Sequence, residues 1–110
     1  MEQITYEQFS KIEIKLGTIK VAEVVEGADK LLRLEVDFGE ETVRQILSGI
    51  REYFADEQVL VGQQCPFVTN LAPRTIRGLE SNGMILAANT DEGFALFHPS
   101  VPLPPGTKLK

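Results

Sequence analysis

The chain has 110 residues, 43% of them hydrophobic and 25% charged, and a net charge of −5. That suits one domain, residues 1–110, burying roughly two-thirds of the surface its unfolded form exposes, and the composition excludes a disordered chain. A single Cys65 and a single His98 exclude an internal disulfide and a Cys/His zinc site of ordinary spacing, so no metal or cofactor is expected. The apolar stretches are far shorter than the roughly 18 residues of a membrane span. Met1-Glu2-Gln3-Ile4-Thr5 lacks the basic-then-apolar order of a signal peptide. A reducing, cytoplasmic setting without a membrane partner is expected. Cys65, between Gln64 and Pro66, reads as a buried thiol. His98 reads as a strand-end histidine, with no convincing Cys-His or Ser-His pair.

Thr5 and Gln8 have the spacing of a capping box, with Ile4 and Phe9 placed as a hydrophobic staple, so residues 4–10 predict one helical turn. Residues 12–25 predict a long strand whose apolar parity switches at Gly17, as at a bulge or sharp bend. Glu26 to Asp29 is a turn. Leu32, Leu34, Val36 and Phe38 alternate with Arg33, Glu35 and Asp37, a half-buried strand. Gly39-Glu40-Glu41 leads into a third strand, 42–48, ended by Gly49. Asp56 caps a short helix running to Val61. Residues 64–70 form a fourth strand, with Pro66 at an edge or bulge. Leu71 to Gly83 predicts a long functional loop, and Met84 to Ala88 a fully buried strand. Phe94 to His98 pairs back, and a Pro-rich tail follows. Five or six short strands with a helix between the third and fourth predict an all-β protein. The plan is that of a five-stranded oligonucleotide/oligosaccharide-binding (OB) barrel with short helices.

The charge is unevenly distributed. Eleven of the sixteen acids lie in residues 1–52, whereas Gln58 to Leu79 carries none and includes Arg74 and Arg77. An acidic protein can still present a local basic face, because fields are screened beyond about 10 Å. No phosphate-cradling glycine motif is present, so binding or assembly is expected rather than independent catalysis.

Asn70-Leu71-Ala72-Pro73-Arg74-Thr75-Ile76-Arg77-Gly78, followed by Ser81-Asn82-Gly83-Met84-Ile85-Leu86-Ala87-Ala88, resembles the hallmark of one family. Ala28-Asp29-Lys30-Leu31-Leu32, Val36-Asp37-Phe38-Gly39, Arg44-Gln45-Ile46-Leu47-Ser48-Gly49-Ile50 and Pro105-Gly106-Thr107-Lys108 are similar to that family in order, so the resemblance covers roughly residues 9–110. It is the tRNA-binding domain found at the C-terminus of many methionyl-tRNA synthetases and as small stand-alone tRNA-binding proteins. The resemblance implies an OB barrel, a homodimer, and tRNA bound by shape and backbone charge. It also implies support of aminoacylation beside a synthetase catalytic body located elsewhere. Ala72 stands where family loops usually carry lysine.

Carried over by position, Arg74 and Arg77 are expected at phosphates, and Lys30 and Arg33 lie at basic positions around the second strand. Arg44 points outward if Val43 and Gln45 point inward. Asn70 and Ser81 either hydrogen-bond RNA or hold the loop. Met84 lies near the loop or in the core. Tyr53 and Phe54 offer stacking faces or plug the barrel. The competing reading is a small dimeric protein-binding or export chaperone on the same fold, which a negative surface favours.

Overall fold

The chain enters the fold through a reciprocal cap. The Thr5 hydroxyl accepts the Gln8 N–H at 3.1 Å, and the Gln8 side-chain carbonyl accepts the Thr5 N–H at 2.8 Å. Two amides that a helix start leaves unpaired are satisfied, and the expected turn forms as α1 (Tyr6–Ser10). Ile4 and Phe9, the two ends of the staple, nevertheless stay largely exposed. The computed structural model describes all 110 residues.

Four strands follow as the sequence patterning predicts: β1 (Ile14–Val24), β2 (Leu32–Asp37), β3 (Arg44–Ser48) and β4 (Gln64–Val68). Along β2, Leu32, Leu34 and Val36 are fully buried while Arg33, Glu35 and Asp37 are half-buried. Between β3 and β4 the chain makes two 3-10 turns, Arg51–Tyr53 and Glu57–Leu60, in place of one short α-helix. Asp56 caps the second by accepting the Gln58 N–H at 3.0 Å.

The second half departs from the sequence reading. The expected loop over 71–83 is a two-stranded arm, β5 (Arg74–Ile76) paired with β6 (Leu79–Ser81). Its two turn residues, Arg77 and Gly78, have φ of 54° and 77°. Positive φ at both positions matches the twist of a tight hairpin. The expected buried strand over 84–88 is split. Met84–Ile85 forms the short β7, and β8 (Ala87–Thr90) pairs with β9 (Gly93–Leu96) in an exposed hairpin. Met84 itself is 44% exposed.

The main sheet runs β3-β2-β1-β4-β7, antiparallel throughout. It closes toward β3 through the end of the arm. Asn82 N–H donates to the Gln45 carbonyl at 2.9 Å, and Leu47 N–H donates to the Ser81 hydroxyl at 3.0 Å. The result is a nearly closed five-stranded barrel of the OB type. The Pro-rich tail takes the free edge of β1: Leu16 N–H donates to the Thr107 carbonyl at 2.8 Å, and Leu109 N–H to the Ile14 carbonyl at 2.8 Å. No helix is long and apolar enough to cross a membrane.

The core centres on Ile19, Leu32, Leu34, Val36, Phe38, Ile46, Leu60, Cys65 and Phe67, with Phe38 and Phe67 edge-to-face at 5.4 Å. Each such side chain stabilises by about 1.5–3 kcal/mol relative to exposure. Cys65 is the buried thiol expected, and burial pushes its pKa up to about 11. The register of β1 shifts between Ile19, opposite Val36, and Val21, opposite Glu35, so the bulge falls at Lys20 rather than Gly17. Gly17 serves a different purpose. A Cβ there would overlap Val36 Cγ1 and lie 2.6 Å from Phe38 Cε1. Gly17→Ala is therefore expected to destabilise by about 1–3 kcal/mol through overpacking, read as a lower urea midpoint at unchanged m-value.

Candidate nucleic-acid interface

The β5–β6 arm is held at both of its roots. At the first, the Thr69 hydroxyl donates to Glu13 Oε1 at 2.7 Å. Asn70 Oδ1 accepts the Glu13 N–H at 2.8 Å, and its Nδ2 donates to the Lys11 carbonyl at 2.6 Å. At the second, Gln45 Nε2 donates to the Glu80 carbonyl at 2.8 Å, and the buried Ser81 hydroxyl joins Leu47 N–H to the Gly83 carbonyl. Asn70 and Ser81 thus hold the arm, one of the two readings the sequence left open. Met84 is exposed beside the second root, paired with Val68 in β7.

Arg44 does not point outward. It pairs with Val36 and shares the parity of the core residue Ile46. Its guanidinium lies over the Phe38 ring, 5.4 Å from the centroid. Nε and Nη2 each donate to the Glu40 carboxylate at 2.8 Å, while Nη1 donates to the Thr69 carbonyl at 2.7 Å. The Arg44 hydrogen bonds hold the Glu40 carboxyl below the usual glutamate value and raise Arg44.

Arg33 does face outward, but its charge is engaged. It donates to Glu35 at 2.8 Å, to Glu23 at 2.9 and 3.1 Å, and to Gln45 Oε1 at 3.2 Å. Its hydrogen bonds to Glu35 and then Glu23 raise its pKa. The five basic residues therefore do not form one free charge cluster. Lys30, Arg74 and Arg77 take part in none of the four ion pairs and are exposed. Arg77, at the tip of the arm, lines one depression with Lys30 and the Gly27–Leu31 turn, which also brings Asp29 there. Arg74 stands three residues earlier on the same arm.

Two side chains that the sequence reading passed over, Glu40 and Gln45, organise this region. The only sequence signal for Glu40 is its place four residues before Arg44. The aromatic residues form a stack of their own. Tyr53 lies parallel to Phe94 at 4.1 Å, Phe54 meets Phe94 edge-on at 5.9 Å, and the Tyr53 hydroxyl accepts from Asn89 at 2.7 Å. One ring face of Tyr53 is covered by Phe94. The structure also brings together a Cys-His pair that sequence spacing argued against, with Cys65 Sγ 3.7 Å from His98 Nδ1. His98 Nδ1 lies 2.8 Å from the Gln64 carbonyl, so its N–H donates there, and the raised thiol pKa keeps sulfur protonated at neutral pH.

Residues 14–108 match the family model described as "Putative tRNA binding domain". The chain belongs to this tRNA-binding domain family. It is 46% identical over 105 residues to a methionine–tRNA ligase of Methanococcoides burtonii, an alignment covering 94% of this chain and 15% of the ligase. With the ligase of Methanoregula boonei it shares 49% identity over 107 residues, 97% of this chain and 16% of the ligase. The tRNA-binding-family chain thus spans 15–16% of the length of these ligases. Among solved structures, a MetRS-related protein from Pyrococcus horikoshii superposes with a TM-score of 0.91 at 35% identity, covering 100% of both chains. The chaperone CsaA of Bacillus anthracis superposes with a TM-score of 0.87 at 29% identity, covering 99% of this chain and 100% of its own.

Within this tRNA-binding domain, hydrogen bonds hold two carboxylates, Glu13 and Glu40, below the usual glutamate range. The Thr69 hydroxyl, more than any charge, lowers the Glu13 pKa. Glu13 and Glu40 both bind their proton less readily folded than unfolded. Their stabilisation is therefore present above the unfolded glutamate pKa and lost as pH falls below it through the lowered folded values. Thr69→Val is expected to move the Glu13 carboxyl up toward its ordinary value, seen by NMR titration, and to reduce the acid sensitivity of the unfolding midpoint. An unmoved Glu13 titration would refute this assignment.

Proposed function

We propose that this single domain binds tRNA by shape and backbone charge and supports aminoacylation without catalysing it. The observation that carries the reading is the exposed, ion-pair-free Arg74 and Arg77 on the paired β5–β6 arm, with Arg77 sharing a depression with Lys30. It is supported by membership of the family. Arginine and lysine without a carboxylate partner can displace counterions from phosphates, which is the source of sequence-independent affinity. Arg33, Arg44, Asn70 and Ser81 act in this reading as supports, and Met84 borders the site.

A net charge of −5 opposes the approach of RNA at long range. Attraction must come from the local patch within about a Debye length. With few phosphate contacts, a single domain binds tRNA at the micromolar level near physiological salt. Two such faces in a homodimer, or a synthetase catalytic body supplying the rest by effective concentration, raise that to a useful level.

Filter binding with bulk tRNA at several salt concentrations tests the reading. Arg74→Ala and Arg77→Ala are each expected to weaken binding about equally across tRNA species. Each lowers the salt slope by roughly one unit or a little less. A double variant with unchanged affinity and slope would exclude the arm as the RNA site. The CsaA neighbour, at a TM-score of 0.87, favours a second reading, a protein-binding chaperone. That reading is selected if tRNA fails to bind while unfolded polypeptide binds with little dependence on salt.

The homodimer rests on apolar surface at the joined ends of the chain. Tyr6, Phe9, Ile12 and Leu109 line one hollow between α1 and the tail, and all four are exposed. Light scattering is expected to give twice the chain mass of 12.2 kDa. A single-chain mass at micromolar concentration would refute the dimer.

A further inference from the structure

We infer that Arg44 and Glu40 form a positioning clamp that sets the direction of the β5–β6 arm, so that the arm's cations act only while this inward pair is intact. The inference rests on the tRNA-binding reading for its consequence, but the clamp itself is testable without RNA.

Arg44 is the side chain that meets both roots of the arm. Nη1 donates to the Thr69 carbonyl at 2.7 Å, on the way into the arm, and approaches the Asn82 carbonyl at 3.5 Å, on the way out. The other side-chain contacts each reach one root, and beneath them the backbone pairing of Val68 with Met84 joins the strands that carry the two roots. Asn70 ties the first root to Lys11 and Glu13, while Gln45 and Leu47 hold the second. A two-stranded hairpin standing off a barrel has little core of its own. Its orientation therefore depends on what fixes its two roots relative to one another.

Glu40 and Phe38 fix the fixer. Glu40 receives two parallel hydrogen bonds of 2.8 Å from Nε and Nη2, the bidentate geometry that locks a planar guanidinium. The Phe38 ring centroid lies 5.4 Å from the guanidinium carbon, and that ring packs edge-on against Phe67 in the core. Nη1 is thereby left aimed at the two carbonyls. A lysine cannot reproduce this, because its single ammonium cannot serve a carboxylate and two carbonyls through a rigid fork.

The clamp and a direct phosphate contact make opposite predictions for Glu40→Gln. Removing a carboxylate beside a basic face raises affinity for an anion by plain electrostatics. Loosening a clamp lowers it, because the arm must then be ordered on binding. Glu40 is exposed, so the substitution leaves the core intact.

The experiment uses the full chain, as wild type, Glu40→Gln and Arg44→Lys. Amide hydrogen exchange is measured first, in the absence of RNA. Residues 74–82 are expected to exchange about tenfold faster in both variants, the factor for loss of one ordinary net hydrogen bond. Leu34 and Val36 in the core should be unchanged. Unchanged protection over 74–82 would overturn the clamp. Filter binding with bulk tRNA follows across a range of salt. Both variants are expected to bind several-fold more weakly with the wild-type salt slope. Tighter binding by Glu40→Gln, or a slope reduced by about one for a charge-preserving Arg44→Lys, would overturn it also. Wild-type protein that binds no tRNA refutes the function proposed above, while the exchange measurement still decides the clamp.

Discussion

β1 has to satisfy two strands and a tail, and the tight crossing at Gly17 is what allows it. Over Ile14–Thr18 it pairs with β4, and over Thr18–Val24 with β2. The tail takes the remaining edge at Ile14–Leu16. A strand has only two hydrogen-bonding edges, so serving three partners requires that the partners change along its length and that the sheet curl as they do. Gly17 sits at the change, buried against Val36 and the Phe38 ring with no room for a side chain. Once Phe38 is placed there it packs edge-on to Phe67 and faces the Arg44 guanidinium. The barrel's core and the base of the arm therefore meet at one phenyl ring.

From that base the protein divides its cations into two groups by environment. Arg33 and Arg44 are partly buried and held by carboxylates, with side-chain exposures of 20% and 25%. Their ion pairs contribute about 0–1 kcal/mol each if treated as surface pairs; their greater effect is geometric, since a forked guanidinium holds its partners in one plane. Lys30, Arg74 and Arg77 keep exposed, unpaired charge. In a protein of net charge −5 this division matters. Averaged over the surface the field repels RNA, and only charges that no carboxylate neutralises locally can reverse it at contact distance.

The arm shows how an irregular-looking segment can form a paired hairpin. It carries Pro73, Gly78 and Gly83 and few apolar residues, which argues for a loop. Yet Arg77-Gly78 adopts the paired left-handed backbone of a tight hairpin. Gly83, at φ 147°, lets the chain turn back against Ile46. Asn-Gly or Asp-Gly would have announced the turn. Arginine in the left-handed region is less common, because its Cβ crowds the backbone there. The surrounding hydrogen bonds to Glu13, Gln45 and Leu47 hold the arm in place.

By itself the sequence determined the capping box at Thr5 and Gln8, the alternating β2 strand and the burial of Cys65. It also determined the order of elements that makes an OB barrel. Each of these is a local period or a neighbour relation of a few residues, and local sterics and hydrophobicity act at that range. The long matching segments around Lys30, Arg44 and Arg74 likewise made the family legible. Only the tertiary structure decided which arginines carry free charge. Arg33 meets Glu23 from ten residues away, and Arg44 meets Thr69 from 25 residues away. It alone decided that Asn70 and Ser81 hold the arm, through partners 57 and 34 residues distant. Sequence patterning put Arg44 on the outside only if Val43 and Gln45 point inward, a parity that nearest neighbours alone leave open. Closure of the barrel brought Phe38, Glu40 and the arm's roots to one point, and so turned that arginine inward.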